Sequence, residues 1–290
     1  MRLGRDLWTG YAAAHAERAD ALTAAHRERR AQGRAHPVAD FLFVYYSNSP
    51  GRLARWHPGV GVSLDDARDA PHVGWRHYRG GADGSVELDV TSFLAQRGRT
   101  VTFVRELLTA TLSRPAQTAC FGLHEWAMVY RLRQDEFRHE RWPLRLGVEG
   151  TDEVVRSHTI RCSHYDAFRF FTPEAAPLNT VRPSRERQVD LEQPGCLHAG
   201  MDLYKWAYTL APAVPGDLVL DAFELAADIR VLDMRASPYD LTDLGLEPVR
   251  IETREGKASY AEAQRGFTAR SDALRRRLLD VCDVLVQSAG

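Results

Sequence analysis

The chain has 290 residues, 44% of them hydrophobic and 27% charged, which is the composition of a soluble globular protein long enough to bury a sizeable core. Its formal net charge is −1, from 38 basic and 39 acidic residues. That excludes a global basic footprint for sequence-independent nucleic-acid binding but leaves room for a local groove, because nearly all the basic residues are arginine.

Cys120, Cys162, Cys196 and Cys282 lie far apart and form no CxxC pair, so a cysteine-built zinc knuckle has no support. No signal peptide and no run of about 18 apolar residues is seen. The expectation is a cytoplasmic protein with reduced thiols and no membrane partner.

Residues 1–35 read as an N-terminal helix, with Leu7, Tyr11, Ala14 and Arg18 along one face. A single globular domain is expected over 36–290. Val38–Tyr46 has the apolar density of a buried element. Pro58-Gly59-Val60-Gly61 resembles the hairpin of a helix–hairpin–helix motif, but no helical pattern follows it; a tight turn is the plainer reading. A helix is predicted over 100–112, with Phe103, Leu107 and Leu108 on its apolar side.

Residues 118–138 carry a strong helical pattern that ends at His139-Glu140. His124 and Glu125 are adjacent within it, and on a regular helix they face different directions. Leu144–Val148 and Val154–Phe171 alternate and are rich in β-branched and aromatic residues, so they read as strands of a small antiparallel sheet. In a regular strand His158, His164 and Asp166 share one face, with the imidazole and carboxylate of His164 and Asp166 about 7 Å apart. Residues 172–195 hold four of the fourteen prolines and read as a long functional loop or lid.

That loop leads into Gln193–Leu210. Here His198 and Asp202 stand four residues apart on one helical face, with Lys205 and Trp206 a turn later. A helix follows over Asp217–Met234, its apolar face made by Ala222, Leu225, Ile229 and Leu232. Its acidic stripe, Asp217, Asp221, Glu224 and Asp228, reads as solvated. Pro248–Thr253 is a candidate strand, and Ser259–Val286 a final amphipathic helix exposing Arg275, Arg276 and Arg277. The fold class expected is α+β: a mostly helical single domain with a small antiparallel sheet.

The polar residues permit two chemistries. As metal ligands, His124, Glu125, His158, His164 and His198 supply the imidazole and carboxylate donors that suit Fe²⁺ or Zn²⁺, although no HExxH is present. Such a site implies a divalent metal cofactor and a hydrolase or oxygenase acting on a small molecule. Without a metal, Asp166 or Asp202 serves as general base on water and His164 or His198 as acid; Lys205 offers a further option, an amine nucleophile. Trp206, Tyr204, Trp126 and Tyr165 then sandwich a planar substrate. Those parts match base excision from damaged DNA. A non-catalytic module binding a planar ligand keeps the aromatics and needs no base.

Five stretches, HPVADFLFVYY, RWHPGVGV, FGLHEWAMVYR, SHYDAFRFFTPEAAPLN and QPGCLHAGMDLYKWAYTLAP, resemble an actinobacterial family labelled 3-methyladenine DNA glycosylase. The resemblance covers about residues 36–265. It implies a DNA-repair glycosylase that excises alkylated purines, with damaged DNA as partner. It supplies no catalytic residue of its own, so the candidate residues above come from the residue reading.

Overall fold

The computed structural model describes residues 1–118, 120–133, 136 and 142–288. The fold is α+β, mostly helical, with one small sheet. In chain order the elements are β1 (Arg2–Leu3), α1 (Arg5–Ala31), α2 (Phe41–Tyr45), α3 (Pro50–Leu53), β2 (Ser63–Leu64), β3 (Tyr78–Gly80), β4 (Val86–Leu88) and α4 (Val90–Leu112). There follow α5 (Leu123–Ala127), α6 (Gly147–Ser157), α7 (Tyr165–Phe168), α8 (Gln188–Leu191), α9 (Leu197–Thr209), α10 (Gly216–Arg235) and α11 (Arg254–Gln287). None of the helices, among the described residues, is long and apolar enough to cross a membrane.

The backbone divides into two compact units. The first comprises residues 1–109, 202–227 and 273–290. It holds the whole sheet, in the order β1-β2-β4-β3, with β1 parallel to β2 and the other pairs antiparallel. Helix α1 is where the sequence places it, but a different face is buried. Trp8, His15, Ala19, Thr23 and His26 point inward, while Leu7 and Tyr11 are exposed. The buried polar groups have partners: His15 Nε2 lies 2.9 Å from the Leu53 carbonyl and His26 Nδ1 2.9 Å from Asp40 Oδ1. A polar group so bonded can enter a core at little cost, and a reading by hydropathy alone passes over it.

Pro58–Gly61 is a turn. Gly59 and Gly61 have φ of 88° and 78°, which only glycine adopts freely. A Cβ on Gly59 would also sit 2.7 Å from the Pro215 ring. Strand β2 follows directly, so no helix–hairpin–helix is formed. Helix α4 starts ten residues before the expected point. Asp89 Oδ1 accepts from the Ser92 amide at 2.9 Å and satisfies one of the free amides of its first turn. The acidic stripe of α10 is engaged by arginines: Arg18 reaches Asp221 and Glu224, and Arg277 reaches Asp217 and Asp221.

The second unit comprises residues 110–201 and 228–272. The antiparallel sheet expected between 144 and 171 is not there. Thr151, Val154 and Val155 are the buried residues of α6, a helical i, i+3, i+4 spacing that overrides the β-propensity of adjacent valines. After α6 the chain is extended. Ile160, Cys162 and His164 are buried in alternation with more exposed neighbours, so the period-two pattern is real, but its only bridge joins Ile160 to Asn179 among the described residues. Pro248–Thr253 forms no strand. Of the pattern at 118–138, a short helix remains, α5. Residues 119, 134, 135, 137 and 138, and the His139-Glu140 ending, lie outside the described residues. Arg275 is fully buried and not exposed.

The Pro-rich loop is tied down by side chains. Asn179 brackets Cys162, accepting from its amide at 2.8 Å and donating to its carbonyl at 2.9 Å. Gln193 Oε1 accepts from the amides of Gln117 and Gly195, both at 2.8 Å. A Cβ on Gly195 would lie 2.5 Å from the Gln117 carbonyl. Glycine is therefore required for the close approach that sets the entry angle of α9 and the position of His198.

Candidate metal centre

His198 in the first turn of α9, His124 in α5 and Asp233 near the end of α10 converge inside the second unit. Each offers one ligand atom, and the three atoms lie within 4.8 Å of one another. The His124 and His198 rings meet edge to face with centroids 4.5 Å apart, and His164 stacks on His198 at 5.4 Å. His124 Nε2 and Asp233 Oδ1 share a hydrogen bond of 2.8 Å. Donors at about 2.0–2.2 Å from a common ion are at most about 4.4 Å apart, so a small side-chain rotation brings this set into coordination.

Around the three lies a buried charge network. Arg230 Nη1 donates to Asp233 Oδ2 and to Glu125 Oε1, each at 3.1 Å. The short α5 thus delivers both His124 and Glu125 to one network, although on a regular helix they face different directions. Two carboxylates face one guanidinium, which leaves one negative charge to be balanced by a proton or a cation.

The titrations follow from that balance. Burial alone would raise Asp233, but His124, His198 and Arg230 hold it well below the usual carboxylate range. Burial alone would lower His124, but the facing Asp233 brings it out above its ordinary value. His198 is pushed down to about 3 by burial and by the charge of His124. At neutral pH His198 is therefore a neutral imidazole, the form that binds a metal.

A cavity of about 20 Å³ adjoins the cluster, lined by His124 and His198 and by Cys120, Cys162 and Cys196. That is room for about one water. Burial raises all three thiols, Cys162 to about 12, so they stand as neutral SH groups at pH 7. Arg161, Ser163 and Gln193 also line this cavity. The same three residues line a neighbouring cavity of about 150 Å³.

The other residues singled out in the sequence lie elsewhere. His158 closes α6, its Nδ1 2.7 Å from the Val154 carbonyl. Asp166 turns away into α7 and pairs with Arg169. Tyr165 lies under the Arg185 guanidinium. Trp126 is a core residue whose Nε1 donates to the Ala236 carbonyl at 2.8 Å.

Helix α9 is shared by the two units, and the stripe His198–Asp202–Lys205 is divided with it. Asp202 belongs to the first unit, where Tyr46 donates to Oδ1 at 2.9 Å and Lys205 to Oδ2 at 3.1 Å. Lys205 also lies 4.6 Å from the Trp206 ring, and the Tyr204 hydroxyl takes a hydrogen bond from Asn48.

Asp233 and Arg230 were not anticipated. Their signal was present: a carboxylate four residues after Ile229 falls on the apolar stripe of α10, where an unpaired charge would not be tolerated. Taken together, the geometry brings two histidines and one carboxylate into a cluster whose donor atoms could hold a metal ion. Against protein-family models, curated proteins and solved structures, the chain finds no match.

Proposed function

We infer that His124, His198 and Asp233 hold a divalent first-row metal, Fe²⁺ or Zn²⁺, and that the chain is a metal-dependent enzyme, a hydrolase or oxygenase acting on a small molecule. The observation that carries this reading is the convergence of two imidazoles and one carboxylate within 4.8 Å. This donor set leaves coordination positions open for water or substrate and is the one used by non-haem iron enzymes and by several zinc hydrolases. A bound ion would supply Lewis acidity and an activated oxygen ligand. The protein supplies a buried network that fixes the ligands, and Arg230 orients Asp233 through its second oxygen.

The test is an anaerobic titration of chelator-treated protein with Fe²⁺, Zn²⁺ and Co²⁺, followed by Co²⁺ absorption and calorimetry. One equivalent is expected to bind. His198→Ala is expected to weaken binding by at least about 100-fold, since even an outer-sphere partner is worth about 10–100-fold. Equal affinity in wild type and variant overturns the reading.

Base excision of alkylated purines, which the family resemblance implies, is the second reading. It is favoured by the buried Asp202 carboxylate with the Lys205 ammonium between it and the Trp206 indole. Release of free 3-methyladenine from alkylated DNA, lost in Asp202→Asn but kept in His198→Ala, would support it over the metal-centred reading.

A further inference from the structure

The first unit contains a separate cavity of about 300 Å³ whose lining includes Arg52, Arg55, Arg76 and Arg97 together with Trp75 and Tyr208. The four guanidiniums come from three places in the chain: the α3 turn, the loop before β3, and α4. None of the four is ion-paired among the described residues. Arg76 donates to the side-chain oxygen of Gln96, and Arg55 lies 5.4 Å from the centroid of the Trp75 ring.

This is not a shortage of carboxylates. Elsewhere in the same unit arginines are matched: Arg2 with Asp65 and Asp83, Arg5 with Asp69, Arg79 with Glu87, Arg105 with Asp283. Four like charges facing one concavity repel each other and focus a positive field into it. The two histidines in the lining add no charge at neutral pH, since burial lowers both, His57 to about 3.

We propose that this cavity is a binding site for a mononucleotide, its phosphate held by the arginines and its base laid against Trp75 and Tyr208. Planar guanidiniums match phosphate oxygens in pairs, and an indole and a phenol offer flat faces for a base. The volume lies at the lower end of the range for small-molecule sites, about 300–1,000 Å³. That admits one nucleotide and not a length of strand.

The experiment is calorimetric titration of the full chain with AMP, GMP, UMP and ADP, beside adenosine, inorganic pyrophosphate and a single-stranded oligonucleotide. The expected result is saturable binding of one or more mononucleotides at one equivalent, weaker for adenosine and for pyrophosphate. Arg55→Ala and Arg76→Ala should each weaken it about 10–100-fold, and Trp75→Leu about 5–100-fold. All three positions are exposed or half-buried, and unchanged melting temperatures would confirm folding of the variants. No binding by any mononucleotide overturns the proposal. So does pyrophosphate binding as tightly as AMP with Trp75→Leu neutral, which would mark a bare polyanion site. Preferential binding of the oligonucleotide overturns it in favour of a strand.

Discussion

Replacing Asp233 by Asn tests the buried network at its centre. The carboxylate is fully buried. One oxygen faces His124 Nε2 at 2.8 Å and the other faces Arg230 at 3.1 Å. The amide keeps the volume and removes the charge. Its oxygen can still accept from Arg230, which turns the NH₂ toward His124 and forces that imidazole to act as acceptor. Arg230, itself buried, is left with Glu125 as its nearest carboxylate.

Removing one member of a buried ion pair costs about 3–5 kcal/mol. The retained amide contact places the loss toward 3 kcal/mol, or roughly 6–12 °C in melting temperature for a chain of this size. Calorimetric melts of chelator-treated wild type and variant between pH 3 and 9 measure it.

The sign of the pH dependence is fixed by the two shifts. Asp233 is depressed in the folded chain, so its contribution is present above its ordinary value of 3.8 and is lost as pH falls. His124 is raised, so its contribution is complete below 6.5 and is lost as pH rises through its folded value. The gap between wild type and variant is therefore widest between about pH 4 and pH 6.5 and narrows on both sides. A variant melting within about 1 °C of wild type across that window, or a gap independent of pH, refutes the network as described.

Metal uptake should carry the same signature. His198 is already neutral, but His124 must surrender its proton, so affinity should fall about tenfold per pH unit below the folded His124 value and level off above it. Chelator competition between pH 6 and 8.5 reads this, and a flat profile contradicts it. In the first unit, Asp40 is held at about 2: burial would raise it, but Arg29 and His26 prevail. Asp40→Asn should cost about 2 kcal/mol at neutral pH. The difference should shrink as pH falls from 3.8 toward 2, as read by urea unfolding. Asp202→Ala strips the buried Tyr46 hydroxyl of its acceptor and should cost about 1–3 kcal/mol. Metal affinity should stay unchanged, because Asp202 is not among the ligands.

Two members of the His124–His198–Asp233 cluster could be read in advance as chemically conspicuous residues, and the reason the third could not is physical. His124 and His198 stood out because histidines on aromatic-rich helices are scarce and chemically conspicuous. Asp233 did not, because it sits in a helix whose other acids, Asp217, Asp221, Glu224 and Asp228, form an ordinary surface stripe. Only burial separates it from them, and burial depends on packing that is distant in sequence. The same limit explains α6. Val154 and Val155 speak for a strand locally, and tertiary packing of Thr151, Val154 and Val155 decides for a helix. In α1 the helix was legible and its buried face was not, since His15, Thr23 and His26 enter the core through hydrogen bonds that hydropathy does not register.

The cavities at the His124–His198–Asp233 cluster also bound what can react there. The inner one holds about one water and is walled by imidazoles and un-ionised thiols. The neighbouring cavity of about 150 Å³ is several times roomier. An anionic group entering the inner cavity would meet Asp233 and Glu125, whose charge Arg230 and a protonated His124 already balance, so the part of a substrate that reaches the cluster should be neutral or should bind the ion directly. Base excision at Asp202, in the first unit, makes no demand on these cavities. Purine binding that left the thiols and the His198 ring as inaccessible as before would then place that activity away from the His124–His198–Asp233 cluster.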